Sequence, residues 1–409
     1  MDDPRPAHDA SPAPGTALYV HLPFCVAKCH YCDFFSIALE GPDDPQVDRL
    51  VDAVLAEARR RAPADRLLAP RTVYLGGGTP SFLSADQLRR LLDGLHAQTG
   101  FRDSAVEVTA ECNPESLDRD QARCLLDLGV DRLSIGFQSL REGVLTSFGR
   151  VHRVEDSFAA YEAARAAGAT NVSVDLIFAT PGQRPDEWEA DLGRVLDLGP
   201  EHLSAYNLAF EEATPFKRWL DEGKLQPLPE EVELELFERT RELLAARGYA
   251  GYEVSNFALP DRHCAHNVNY WRNGQYLGLG PSAVSKVGWR RAGNVRAVQA
   301  YGRRAASPGG AEDWSETLEP AARLGETWWL GLRLAEGVDP EAARRRAGAA
   351  PDAGERALER ARDLESGGLL IFADGRYRLT GRGLAVADAV AREFLDLART
   401  GGGPAEALG

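Results

Sequence analysis

Three cysteines, Cys25, Cys29 and Cys32, fall within eight residues in the segment Leu18-Tyr-Val-His-Leu-Pro-Phe-Cys-Val-Ala-Lys-Cys-His-Tyr-Cys-Asp-Phe34. Thiolates in this Cys-x3-Cys-x2-Cys spacing suit zinc or iron. Zinc would need a fourth ligand, with His21 or His30 at hand, but zinc ligands usually come as two short couples separated by a longer loop, and no second couple follows. Iron–sulfur ligation is thiolate-rich and accepts a compact loop. A cubane cluster has four irons, so three protein thiolates leave one iron open. An open iron chelates a small molecule, which turns an electron-transfer centre into a reaction centre.

The residues around the loop must position it. From Thr16 onward, β-branched and aromatic runs at 17–22, 72–76, 105–110, 131–137, 171–178 and 201–207 alternate with helical periods near 45–61, 84–98, 118–128, 154–167 and 185–197. Such alternation predicts a parallel sheet with crossover helices, either doubly wound or an open β/α barrel. The unusual residues decide between them. The first strand runs into the cysteines, the second into Gly76-Gly-Gly-Thr-Pro80, the third into Glu111-Cys-Asn-Pro114, the fourth into Gln138 and the sixth into Ala209-Phe-Glu211; the fifth carries Asp175. Chemistry gathers at the carboxyl ends of strands in β/α barrels, so the pattern favours an α/β fold built as a partial (β/α)6 TIM-type barrel.

Past Phe216 the pattern changes. A charged helix (230–247) leads to His263-Cys-Ala-His-Asn-Val-Asn-Tyr-Trp271, and Ser307-Pro-Gly-Gly310 reads as a linker. Helices near 320–334, 339–347 and 353–366 precede a hairpin turning at Asp374-Gly375 and a last helix to about Leu397, a helical, winged-helix-like unit. The expected organisation is a disordered tail (1–15), barrel core (16–215), barrel extension (216–306), C-terminal domain (307–397) and flexible tail (398–409).

A chain of 409 residues with a formal net charge of −15 is not expected to bind nucleic acid, which calls for a basic face. It has no run of the roughly 18–20 apolar residues that would cross a bilayer, and residues 1–15 have no apolar core of a secretory signal. The six cysteines, three of them crowded together, do not form an extracellular disulfide framework, so a reducing, cytoplasmic compartment is expected. Cys112 and Cys124 are expected to be buried structural thiols.

The cysteine loop followed by Gly76-Gly-Gly-Thr-Pro80 resembles the radical S-adenosylmethionine (SAM) superfamily. The resemblance implies a 4Fe-4S cluster on Cys25, Cys29 and Cys32, with SAM chelated to the open iron and cleaved reductively to a 5′-deoxyadenosyl radical. Gly77, Gly78 and Thr79 would then cradle SAM, since backbone must approach its amino group closely. The wider match, over roughly residues 17–385, is to the HemN/HemW branch. On that resemblance Tyr19 packs by SAM, Tyr31 is the aromatic before the last cysteine, and Glu111 bonds the ribose hydroxyls. Gln138, Arg150 and Asp175, with Ala209 and Val284 as further contacts, align with the lining of a second SAM site.

Within that branch, the porphyrin oxidases carry a further cysteine where this chain has Phe34, and a substantial segment ahead of the motif, where here the eighteen residues before Tyr19 look disordered. His266-Asn-Val-Asn-Tyr-Trp271 matches the HNxxYW signature of HemW-type haem chaperones. An imidazole ligates iron and Tyr270 and Trp271 offer flat apolar surface; His263 and Cys264 are alternative ligands. The resemblance thus implies a haem chaperone that hands haem to recipient haemoproteins, respiratory ones at a membrane face included, with peripheral membrane association and a homodimer both compatible. The alternative is an enzyme, an oxygen-independent coproporphyrinogen III dehydrogenase or a related radical SAM enzyme acting on a porphyrin or heteroaromatic substrate.

Overall fold

A computed structural model describes residues 16–64 and 69–398; the tails expected at 1–15 and 398–409 lie outside these, save for Ala398. Six strands, β1 (Ala17–Leu22), β2 (Thr72–Gly77), β3 (Glu107–Cys112), β4 (Arg132–Gln138), β5 (Val172–Phe178) and β6 (His202–Asn207), pair in parallel in that order. Five crossover helices join them: α1 (Pro45–Ala64), α2 (Ala85–Thr99), α3 (Arg119–Asp127), α4 (Val154–Ala166) and α5 (Pro185–Leu196). The sequence writes their limits locally. Ser84 and Gln87 close a reciprocal capping box at the start of α2, and Gly100 ends it at a φ of +68°, where a side chain would be strained. β3 starts two residues later than its β-type run because Phe101–Ser104 forms a helical turn first.

Side chains alternate along each strand. Leu18, Val20, Leu22, Val73, Leu75, Leu133, Ile135, Val172 and Val174 all enter one apolar core with the crossover helices. The opposite positions, including Tyr19, Tyr74, Glu107, Glu111, Arg132, Ser134 and Asp175, therefore share the inner face. Barrel interiors are usually filled with branched apolar side chains; this one is lined with phenols, hydroxyls and ionisable groups, which is the lining of a site.

The extension completes the sheet. After α6 (Glu230–Ala246), β7 (Asn256–Ala258) pairs antiparallel with β6, and α7 (Ala265–Trp271) leads to β8 (Tyr276–Leu279), which pairs in parallel with β1 on the other side. β9 (Val284–Val287), β10 (Arg290–Asn294) and, after α8 (Val298–Ala305), β11 (Glu312–Thr317) continue it antiparallel. Strand β11 corrects the boundary expected at 307. Ser307–Gly310 is a turn inside the extension, and the C-terminal unit begins after Thr317.

That unit comprises α9 (Pro320–Gly331), α10 (Pro340–Ala347), α11 (Pro351–Ser366) and the hairpin β12 (Leu370–Ala373) and β13 (Arg376–Leu379) around its own core, with Trp328 stacked on Phe394 at 4.6 Å. Asp374 and Gly375, at φ of 51° and 75°, make the expected tight turn. The single final helix expected to about Leu397 is broken into Gly381–Ala385, Ala387–Arg392 and a 3-10 turn at Leu395–Ala398, because Val386 leaves helical geometry at a φ of −124°. Among the described residues, no helix is long and apolar enough to cross a membrane.

Candidate functional site

The cysteine loop leaves the carboxyl end of β1 and folds over the mouth of the barrel. Cys25, Cys29 and Cys32 are half-buried there as free thiols. Thr79 Oγ1 donates to Cys25 Sγ at 3.4 Å, and Arg150 Nη1 donates to Cys29 Sγ at 3.6 Å. Asn113 links the two donors, giving its amide to Thr79 Oγ1 at 2.8 Å and its carbonyl to Arg150 Nη2 at 2.9 Å. Tyr31 is wedged against Phe148 at 4.7 Å and anchors the loop in a small apolar cluster. Burial pushes the Cys25 thiol up to about 11, and the neighbouring Cys29 and Cys32 add to the rise despite the Thr79 hydrogen bond.

Among the described residues, no three His, Cys, Asp or Glu side chains converge on a single-ion position. The proposed zinc histidines are engaged elsewhere: His21 Nε2 donates to the Phe35 carbonyl at 2.9 Å while Nδ1 meets the Tyr19 hydroxyl at 2.9 Å, and His30 Nδ1 donates to the Ser147 carbonyl.

The glycine run backs onto the end of β1. A Cβ on Gly77, at a φ of +95°, would collide with the His21 ring, and one on Gly78 with the backbone from Leu22 to Phe24. Glu111 reaches the run from the next strand, accepting from Gly77 N at 3.0 Å and from the Tyr74 hydroxyl at 2.8 Å. Burial raises its carboxyl to about 7, against the lowering effect of those two donors. Deeper in the lumen, Asp175 accepts from Ser134 and Ser173, and Thr109 Oγ1 is buried with no partner. A cradle only glycine fits, a carboxylate beside it and an orphaned hydroxyl below suit a polar guest such as SAM.

Of the residues aligned with a second SAM site, Arg150 stands at the cysteine loop and Gln138, at a φ of 64°, at the carboxyl end of β4. Asp175 is deeper, Ala209 is exposed just past β6, and Val284 begins β9 on the far side of β8. Sequence reasoning missed Tyr74, Asn113 and Glu107; for Tyr74 and Glu107, the signal was their inward register on β2 and β3. Cys112 is buried as expected, but Cys124 is only half-buried.

The HNxxYW segment is elsewhere. Helix α7 enters at the amino ends of the strands, a strand's length of roughly 15–20 Å from the cysteine loop. Glu107, at the start of β3, accepts from Ala265 N at 2.8 Å, His266 N at 2.9 Å and Cys264 Sγ at 3.3 Å. His266 is 1% exposed. Its Nδ1 meets Thr72 Oγ1 at 2.9 Å and its Nε2 meets the Tyr270 hydroxyl at 3.2 Å. His266 and Tyr270 thus plug the barrel, and the buried imidazole has no nitrogen left for an iron. Trp271 faces the C-terminal unit, under the Arg333 guanidinium at 4.6 Å. His263, in contrast, is exposed and stacks on Tyr252 at 4.5 Å.

Burial lowers the His266 imidazole to about 3, so it is neutral in the fold. Its stabilising contribution is complete above an unfolded value of about 6.5 and falls as pH drops towards the folded value. The stability advantage of the natural chain over His266→Asn should therefore shrink by about 1.4 kcal/mol between about pH 7.5 and about pH 5.5. Urea denaturation at the two pH values measures it, and a constant difference would mean that the imidazole takes up its proton as readily in the fold as in the unfolded chain.

The radical SAM superfamily profile matches residues 19–195, and the HemN C-terminal domain profile matches residues 318–386. The chain is 32% identical over 380 residues to "Heme chaperone HemW" of Bacillus subtilis (strain 168), covering 93% of this chain and 99% of the relative. It is 37% identical over 391 residues to the protein of the same name from Mycobacterium tuberculosis (strain ATCC 25618 / H37Rv), covering 94% and 96%. Among solved structures, coproporphyrinogen III oxidase (HemN) from Escherichia coli, described as a radical SAM enzyme, superposes with a TM-score of 0.79 at 25% identity, over 93% of this chain and 90% of that one.

Proposed function

The chain belongs to the HemW family within the radical SAM superfamily, and from that membership we propose that it is a haem chaperone, binding haem and handing it to haemoproteins. The observation that carries this reading is the similarity to curated haem chaperones along nearly the whole of both chains. Cys25, Cys29 and Cys32 would hold a 4Fe-4S cluster, and Gly77, Gly78, Thr79 and Glu111 would hold SAM against it. When bound, the pair supplies one-electron reductive chemistry. Arg150 and Thr79 offer hydrogen bonds to two of the cluster's thiolates, and such bonds tune a cluster's potential. Phe34, 66% exposed on the same loop, stands where the oxidases have another cysteine.

Haem is proposed to bind on the outer side of α7. His263 is the exposed imidazole there, with the Tyr252 ring beside it, whereas Cys264 and His266 are held inside by Glu107. Recipient haemoproteins, respiratory ones at a membrane face among them, are the partners this reading calls for. Haem titration followed at the Soret band tests it. His263→Ala should weaken binding by at least about tenfold, or about 1.4 kcal/mol, and move the band, and His266→Ala should leave the band in place. Unchanged binding in His263→Ala with loss in His266→Ala would show that the plug opens to bind haem; no change in either would remove this segment from haem binding.

The structural likeness to the oxidase keeps a second reading, porphyrin oxidation, open to one assay. Protoporphyrinogen formed from coproporphyrinogen III by the anaerobically reconstituted protein would replace the chaperone reading.

A further inference from the structure

The phenols in the lumen form a line. Tyr19 stacks on Tyr74 with 6.3 Å between ring centroids, Tyr74 meets His266 at 5.1 Å, His266 meets Tyr270 at 5.0 Å, and Tyr270 meets Tyr276 at 4.7 Å. The line starts beside Glu111, under the cysteine loop, and ends at Tyr276, partly exposed at the first position of β8.

Phenylalanine would fill such a space without a hydroxyl to satisfy. Here three phenols each meet a base. The Tyr19 hydroxyl donates to His21 Nδ1 at 2.9 Å, an acceptor because Nε2 spends its hydrogen on the Phe35 carbonyl. Tyr74 donates to Glu111 at 2.8 Å, and Tyr270 pairs with His266 Nε2 at 3.2 Å. Oxidisable rings in near contact, three of the four phenols facing a proton acceptor, are what one-electron transport through a protein requires. A tyrosine gives up its electron at an accessible potential only when its proton leaves as well.

We propose that Tyr19, Tyr74, His266, Tyr270 and Tyr276 drain one-electron oxidising equivalents from the barrel lumen to the surface at Tyr276. The inference rests on the SAM reading for its natural oxidant, a primary alkyl radical formed in the lumen. Such a radical takes the phenolic hydrogen atom of Tyr74: the O–H bond breaks, a C–H bond forms, the radical is reduced to an alkane and Tyr74 is oxidised to a phenoxyl. Tyr270 then gives an electron to Tyr74, which takes a proton from solvent, while the Tyr270 proton passes to His266 Nε2. Tyr276 reduces Tyr270, which recovers its proton from His266, and the Tyr276 proton leaves to solvent. A small thiol or ascorbate in solution returns a hydrogen atom to Tyr276, and the proton that Tyr276 released to solvent balances the one that Tyr74 took up. Overall, one hydrogen atom from the solution reductant quenches one radical. Tyr19 is a parallel entry, with His21 as its base. For a chaperone that does not turn over at every haem transfer, such a drain disposes of radicals that meet no substrate.

The test uses the full chain, anaerobically reconstituted, reduced with dithionite in the presence of SAM and frozen within seconds. An electron paramagnetic resonance signal that narrows when the tyrosines are ring-deuterated is the expected result. Tyr276→Phe keeps the ring but closes the exit, so the trapped signal should grow, while Tyr74→Phe and Tyr270→Phe should each diminish what reaches Tyr276. SAM cleaved to 5′-deoxyadenosine with no tyrosyl signal in either the natural chain or Tyr276→Phe overturns the relay and leaves the proposed function standing. A signal equal in all four proteins overturns it too. A protein that binds no iron overturns the SAM reading and the relay with it, one that binds iron but cleaves no SAM overturns the relay alone, and iron and nucleoside analysis of the same samples separates the two cases.

Discussion

Replacing Cys29 by serine is expected to lower the iron retained after anaerobic reconstitution from about four atoms per chain to less than about one, with loss of the visible charge-transfer absorption. Two thiolates cannot hold a cubane whose remaining irons face a half-open loop, and a serine hydroxyl is too weak an acid to replace the third. The same loss is expected for Cys25→Ser and Cys32→Ser, and Cys124→Ser, half-buried on α3, is the control that should retain iron. Arg150→Met sharpens the argument, because Arg150 donates to Cys29 Sγ at 3.6 Å and is itself tied to Gly136 O and Asn113 at 2.9 Å. Losing that cation and hydrogen bond should leave the cluster assembled but lower its reduction potential. Full iron retention in Cys29→Ser would mean that this loop does not carry the cluster.

Much of this was legible from residues close together in the chain. The six strands were legible as β-branched and aromatic runs alternating with helical periods, and the alternation of Leu18, Val20 and Leu22 with Tyr19 and His21 shows the two unlike faces such a strand presents. The cysteine spacing and the glycine run mark the mouth of the barrel for the same reason, since ligand chemistry there is written within a few neighbouring residues. What was not legible depends on contacts far apart in sequence. Nothing near Ser307-Pro-Gly-Gly310 says that the next strand returns to β10, so the turn read as a linker. Nothing near His266 says that Thr72 and Glu107 await it, so a histidine followed by aromatics read as an open ligand. Side-chain type gave the chemistry such a residue can do, and only the fold decides whether it faces solvent, iron or another strand.

Glu107 is where that decision is made, and Glu107→Ala should cost about 3–5 kcal/mol of stability, a large part of the roughly 5–15 kcal/mol that holds a domain together. The carboxylate is 5% exposed and accepts three hydrogen bonds from the start of α7. Close by, Arg132 is 2% exposed; burial opposes its charge and the Glu107 carboxylate favours it, while Cys264 is a protonated thiol that donates to that same carboxylate. Alanine would leave two backbone N–H groups, a thiol and a guanidinium together in a closed lumen, where an uncompensated charge costs far more than the pair contributes. Glu107→Gln keeps one acceptor oxygen and should lose less. Thermal unfolding of the two variants measures the difference. The decisive comparison is with iron: because α7 plugs the amino ends of the strands and the cysteines stand at the carboxyl ends, Glu107→Ala should still assemble its cluster below its lowered melting temperature. If iron loading falls in step with stability even there, the plug and the cysteine loop are one cooperative unit, and α7 would sense the cluster through the length of the barrel.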